Sequence, residues 1–326
     1  MEKLGTDRTF TIFEKMLYLR RGRLSALPSA VPTGQLSIVA DQMRNRTFKS
    51  GAVIMREGEA PLAAYSLVRG RIRVSRRGQV LGDVEPGAAV GVGAIVSRDA
   101  LGLGAVAVTD VLALELDRER LVDIFEDHFP LLLEAIREVA RQHLDRIRKL
   151  TEVPDQLPVI HPERSLLKRL DFVERLLLLK MPEGPFERSS VAALAEIAER
   201  TRHWSIEAGT TLWREGEPAG TSCLIVNGSI RCSLSRDGRP VEFRAGSTAI
   251  GALEAIAGLR RWHDAVADTR ADVLETKVTD LIDVFEDNVE MAMDFLAWVS
   301  GAALALIETA FGPGPELLDF LTRSSV

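Results

Sequence analysis

Arg56-Glu57-Gly58-Glu59 returns as Arg214-Glu215-Gly216-Glu217, 158 residues further along the chain. Val68-Arg69-Gly70-Arg71-Ile72-Arg73 answers Val226-Asn227-Gly228-Ser229-Ile230-Arg231 at the same offset. Asp123-Ile124-Phe125-Glu126-Asp127 matches Asp283-Val284-Phe285-Glu286-Asp287 at offset 160, and Phe13-Glu14-Lys15-Met16-Leu17 pairs with Val173-Glu174-Arg175-Leu176-Leu177 at that same spacing. An offset this constant calls for two copies of one structural unit, and 326 residues is also more than one core usually serves. Between the copies, Pro154 to Pro162 carries three prolines in nine residues, which suits neither helix nor sheet. The expected organisation is a domain over 1–152, a linker over 153–163 and a second domain over 164–326.

Within each copy the same order of signals recurs. A helical segment opens it, with Ile12, Phe13, Met16 and Leu17 at helical spacing in the first. Short alternating strands follow: Arg71-Ile72-Arg73-Val74-Ser75 sends its apolar side chains one way and its arginines the other. Ser229-Ile230-Arg231-Cys232-Ser233-Leu234 alternates likewise, and Asp237-Gly238 beyond it signals a hairpin. Glycines at 51, 58, 70, 78 and 87 fit the tight corners of an all-β barrel. Each copy closes with a short helix (Arg118 to Glu126; Thr279 to Phe285) and then a long one. The second long helix, near Asn288 to Ala310, is apolar nearly all round and must be buried by its own barrel or by a partner.

Composition narrows the function. A net charge of -6 gives no general attraction to phosphate backbones. Cys223 and Cys232 are too few for a disulfide framework and read as buried thiols in a reducing compartment. The N-terminus lacks an apolar signal core, and the most apolar late stretch, Phe295 to Ile307, is 13 residues, short for a transmembrane segment. A cytoplasmic location is expected.

The series Gly51-x-x-Ile54-x-x-Glu57-Gly58-Glu59, Tyr65-x-Leu67-x-x-Gly70-x-Ile72-x-Val74 and Gly87-x-x-Val90-Gly91 resembles a cyclic-nucleotide-binding domain, and Gly209-x-x-Leu212-x-x-Glu215-Gly216-Glu217 with Gly228-x-Ile230 repeats the resemblance. It is the type found in catabolite activators and in the regulatory subunit of protein kinase A. The resemblance implies a mainly β fold: two antiparallel jelly-roll barrels, each with N-terminal helices and a long C-terminal helix. It also implies a ligand site in a loop and short helix between two strands, where a Glu holds the ribose hydroxyl and an Arg pairs with the cyclic phosphate.

This sequence departs from that pattern in both copies. After Gly91 in the first, Val92 stands where the Glu belongs, and counting back from Thr109-Asp110-Val111-Leu112 puts Leu101 at the Arg position. Losing a buried phosphate partner costs roughly 3 to 5 kcal/mol, or about two to four decades of affinity. In the second copy Ala252 follows Gly251 at the Glu position, with Glu254 two residues late. His263 falls at the Arg position, preceded by Arg260, Arg261 and Trp262. Two readings stay open there. Either Arg260, Arg261 or His263 pairs with an anion while Glu254 takes a sugar hydroxyl, or Arg260 to Asp264 is a polar surface loop with Trp262 half buried.

The five histidines are scattered singly, so no metal site is expected. The arginines from Arg69 to Arg77 read as the solvated face of a strand and its turn. After the last helix only Phe311 to Val326 remains, too short for a DNA-binding module. The expectation is a non-catalytic regulatory or adaptor protein, without cofactor, acting through a protein partner, with homodimerisation through the C-terminal helices as a subsidiary guess. The alternative is a receptor for a cyclic nucleotide or other small anion, binding mainly in the second domain. A metal-dependent enzyme on the same scaffold would need a ligand cluster that the sequence does not offer.

Overall fold

A computed structural model describes residues 10–21, 33–97, 102–149, 170–182, 184–236, 238–246 and 248–322. Leu101 and the 153–163 linker lie outside the described residues. The chain packs as two units, Met1–Val139 with Leu296–Val326, and Ala140–Phe295. This division follows packing and cuts both long helices; the expected domains at 1–152 and 164–326 follow the sequence repeat.

The first repeat begins with α1 (Ile12–Arg21) and α2 (Thr33–Gln42). Its strands are β1 (Arg44–Phe48), β2 (Val53–Met55), β3 (Ala63–Arg69), β4 (Ile72–Arg76), β5 (Gln79–Val84) and β6 (Ala89–Val90). The short helix α3 (Val92–Ser97) then precedes β7 (Leu103–Ala107) and β8 (Val111–Asp117), with α4 (Arg118–Asp127) and α5 (Phe129–Lys149) closing the repeat. Two antiparallel sheets form, ordered β1-β8-β3-β6 and β2-β7-β4-β5. Alternation sets the faces: Ile72 and Val74 are fully buried while Arg73 between them is exposed and pairs with Asp83 at 2.8 Å. Arg76 continues the inward series and is 8% exposed, so the arginine run is not wholly a solvated face. Asp117 starts α4 by accepting from Arg120 N at 3.0 Å.

The second repeat copies this order. α6 (Phe172–Leu179), held by a capping box between Asp171 and Glu174, and α7 (Val191–Arg200) precede the strands. These are β9 (Arg202–Ile206), β10 (Thr211–Trp213), β11 (Thr221–Asn227), β12 (Ile230–Arg236), β13 (Arg239–Ala245) and β14 (Ala249–Ile250). After α8 (Ala252–Ile256) come β15 (Asp264–Ala267), β16 (Ala271–Lys277) and α9 (Val278–Asp287). The sheets run β14-β11-β16-β9 and β10-β15-β12-β13, the first repeat's topology strand for strand. Each repeat is thus an antiparallel jelly-roll barrel with flanking helices and a long helix at its end. β12 and β13 pair as far as Arg236 and Arg239, with Gly238 at φ +75 before β13; Asp237 of the expected turn lies outside the described residues.

The chain ends in α10 (Val289–Phe311) and α11 (Pro315–Thr322). At 23 residues α10 is longer than its most apolar stretch suggests, and by length and composition it could cross a membrane. Many of its apolar residues are nevertheless buried in protein: Met291, Phe295, Leu296, Val299, Leu304 and Ile307 are each at most 4% exposed, while Phe311 at its end is 44% exposed. The core helix of a globular protein has this same character.

Candidate functional site

In the second barrel the site is built where β14 runs into α8. Gly251 makes the corner at φ +80, a left-handed conformation that favours glycine. A Cβ there would lie 2.4 Å from Arg261 Nη1 and 3.0 Å from the Thr221 carbonyl oxygen, so the position is closed to any side chain. The corner admits the Arg261 guanidinium, which is 4% exposed. Its Nη1 donates to Gly251 O at 3.1 Å and to Glu254 Oε1 at 3.4 Å; its Nη2 donates to Thr221 O at 2.7 Å and Thr221 Oγ1 at 3.1 Å. The guanidinium carbon also sits 3.9 Å from the Trp213 ring centroid. Among the described residues Nε has no hydrogen-bond partner.

Glu254, in the first turn of α8, is 2% exposed and faces Arg261 as a buried ion pair. His263 is also 2% exposed, within an aromatic cage of Trp213, Phe243 and Trp262 at centroid distances of 5.8, 5.4 and 4.7 Å. Its Nδ1 donates to Asp264 O at 2.9 Å. Burial pushes the imidazole below its ordinary range against the opposing pull of that carbonyl and of Glu254, and the Arg261 charge adds to the lowering. The same burial holds the Cys232 thiol well above its ordinary range and raises Cys223 to about 12, so neither is a ready nucleophile.

Of the sequence candidates, Gly251, Glu254, Arg261 and His263 therefore converge. Ala252 is half-buried at the start of α8. Arg260 stands apart, exposed, with Nη1 donating to Gly216 O at 2.7 Å. The surface-loop reading fails for Arg261, Trp262 and His263, because Trp262 is 9% exposed and stacks on Phe243 at 5.5 Å. Asp264, which would have repelled a phosphate, instead accepts from Glu215 N at 2.7 Å. The sequence reading missed Thr221, Trp213 and Phe243; Thr221 acts partly through its carbonyl, which carries no residue signature. A cleft of about 550 Å³ opens here, lined by Arg148, Glu215, Leu234, Arg260, Arg261 and Trp262 among others.

The first barrel's counterpart is apolar. Gly91 turns at φ +86, where a Cβ would lie 2.8 Å from Met55 Cε. Val92, at the Glu position, is 3% exposed, and Ala94, Ile95 and Val96 of the same helix are buried with it. Glu57 serves the fold: Ser75 Oγ and Gly78 N donate to its two carboxylate oxygens at 2.5 and 2.8 Å, holding it below the usual carboxylate range. Among the described residues no group of three His, Cys, Asp or Glu side chains gathers as a metal site.

The cyclic nucleotide-binding domain family model matches residues 45–128 and 203–288. No curated protein matches the chain in sequence. Solved structures do. The regulatory domain of Toxoplasma gondii PKA with cAMP is 17% identical, over 88% of this chain and 97% of that one, at a TM-score of 0.36. The regulatory subunit of a cAMP-independent protein kinase A from Trypanosoma cruzi, bound to guanosine, is 18% identical over 90% of each chain, at 0.35. A cyclic nucleotide-binding-like protein from Brucella abortus is 26% identical over 35% of this chain and 98% of that one, at 0.31.

Proposed function

Because those two matched stretches make up more than half of its length, the chain belongs to the cyclic nucleotide-binding domain family, and we propose that it is a non-catalytic regulatory or adaptor protein that works through a protein partner rather than by binding a cyclic nucleotide in the family's manner. One observation carries the reading. Both terminal nitrogens of Arg261, the buried cation of the second site, are taken by the chain's own oxygens. A phosphate would have to displace bonds already made in a desolvated place, which removes most of the gain from a charge-assisted pair. The Val92 side chain offers a ribose hydroxyl no acceptor. The proposed location is the cytoplasm. Homodimerisation through α10 is not part of the proposal, since many of the apolar residues that suggested it are buried within the chain.

Titration calorimetry with cyclic AMP, cyclic GMP and cyclic dinucleotides tests this. The expected result is no heat of binding at concentrations up to about 1 mM, a ceiling of roughly -4 kcal/mol. Micromolar binding would overturn the proposal. It would favour the second reading, a receptor for a small anionic ligand, which the cleft with Arg148 and Arg260 on its lining supports. Loss of that binding in Arg148→Ala, a residue outside the buried ion pair, would locate the ligand there.

A further inference from the structure

Where β9 and β16 meet α6, the second barrel holds a polar cluster outside the candidate site. Leu170 and Leu178 pack there with Leu274 of β16 and Val226 of β11. The strand register sets His203 of β9 opposite Leu274 and Ser205 opposite Asp272, all on this one face. His203 and Asp272 are each 7% exposed. Leu170 N, at the entry to α6, donates to His203 Nδ1 at 2.9 Å. Ser205 Oγ donates to Asp272 Oδ1. His203 Nε2 stands 3.9 Å from that same carboxylate oxygen, beyond hydrogen-bond reach. We infer that His203 is a proton-operated latch: neutral, it holds Leu170 at the start of α6, and charged, it releases Leu170 and pairs with Asp272.

The donor and acceptor roles fix the resting state. A backbone N–H can only donate, so Nδ1 is the accepting nitrogen and the neutral ring carries its proton on Nε2. A proton added at Nδ1 sets two donors against each other, and the buried bond from Leu170 is lost. The same proton gives the ring a charge that Asp272 is placed to receive. Neighbouring charges are otherwise engaged. From α6, Asp171 and Glu174 are tied together in the capping box, and Arg175 Nη1 donates to Thr201 O at 2.8 Å. Arg202 and Glu275, opposite each other in register, lie on the other face of the strand pair, with Arg202 over the Trp204 ring. Arg200, ending α7, donates to Asp280 O and stands 3.7 Å from Asp283. β11 sets the neutral Asn227 opposite Asp272. The first repeat supplies an internal comparison. Asn45 and Leu112 hold the register positions of His203 and Asp272 there, so the barrel as such does not require a titratable pair. The inference does not depend on the proposed function.

Hydrogen exchange on the full chain at pH 8 and pH 5 tests it, with the intrinsic pH dependence of exchange divided out. This window brackets the ordinary histidine value of about 6.5 and stays above the ordinary carboxylate values of about 4, so the capping box persists. Protection of Leu170 and the first turn of α6 should fall roughly tenfold or more from pH 8 to pH 5. In His203→Asn, which keeps a carbonyl acceptor without a titratable nitrogen, protection should stay level. His263 also responds to pH, but both proteins contain it and the comparison cancels it. Level protection in the unsubstituted protein, or an equal fall in the variant, would overturn the inference. Should the variant not fold, nitrogen NMR of the unsubstituted protein with labelled histidine decides. The expected spectrum has Nδ1 of His203 bare and Nε2 protonated at pH 8, and both protonated at pH 5. A proton on Nδ1 at pH 8, or a ring still neutral at pH 5, would equally sink the latch.

Discussion

Four oxygens of the chain surround the terminal nitrogens of Arg261, and without them a guanidinium 4% exposed would not survive inside a barrel. Arg261→Ala should cost about 3 to 5 kcal/mol, because it leaves Glu254 as an uncompensated buried charge. Chemical denaturation should show this as a shift confined to the second barrel's transition. Gly251→Ala should destabilise in the same way, from the φ of +80 and the 2.4 Å approach to Arg261 together. His263 adds a pH dependence with a definite sign. Its folded-state pKa is lowered by burial, with Asp264 O, Glu254 and Asp264 opposing and Arg261 assisting. The unfolded chain therefore binds a proton first, and stability falls as pH drops through the ordinary histidine value of about 6.5. Melting of the second barrel at pH 7.5 and 5.5 should differ more for the unsubstituted chain than for His263→Gln. The candidate residues here were legible in sequence; their state was not. Spacing from the family pattern finds Glu254, Arg261 and His263, but two of the four oxygens that hold Arg261 are carbonyls that every residue owns.

Among the elements, α11 and the end of α10 contribute most that the first barrel's own strands do not. Leu317 is 1% exposed in the barrel cluster, so Leu317→Ala should cost roughly 2 to 5 kcal/mol, read as a lower denaturation midpoint for the first unit. Glu308 is held below the ordinary glutamate range, first by its hydrogen bond from Arg76 and then by the charges of Arg76 and Arg77. A depressed carboxylate stabilises above its unfolded pKa and loses that contribution as pH falls through the folded value. Acid below about pH 4 should thus loosen α10 and α11 before the barrel. The strands themselves were readable from alternation, which placed Ile72 and Val74 on one face, and the structure buries Arg76 in the same series. Reading the arginine run as solvated missed Arg76 because its partner, Glu308, lies 232 residues away.

At the scale of the whole molecule, the proposed function predicts thermal behaviour. A ligand at about 100 times its Kd would stabilise the fold it binds by about 2.7 kcal/mol. Scanning calorimetry with cyclic AMP at about 1 mM should instead leave both transitions where they were, and a clear upward shift of either would count against the proposal. By itself the sequence determined that the chain has two copies of one barrel, because a repeat at offsets of 158 to 160 preserves turns and strand alternation that only local physics has to enforce. Through the resemblance it also set the expectation that the first site lacks its polar residues, Val92 being unable to make a hydrogen bond through its side chain wherever it sits. Only the tertiary structure decided what fills those places. The Arg261 guanidinium was settled by the carbonyls of Gly251 and Thr221, which carry no sequence signature, together with the Glu254 carboxylate and the Thr221 hydroxyl, and the α3 face by a helix from the far end of the chain. Contacts of that kind depend on burial and distance, which residue order does not record.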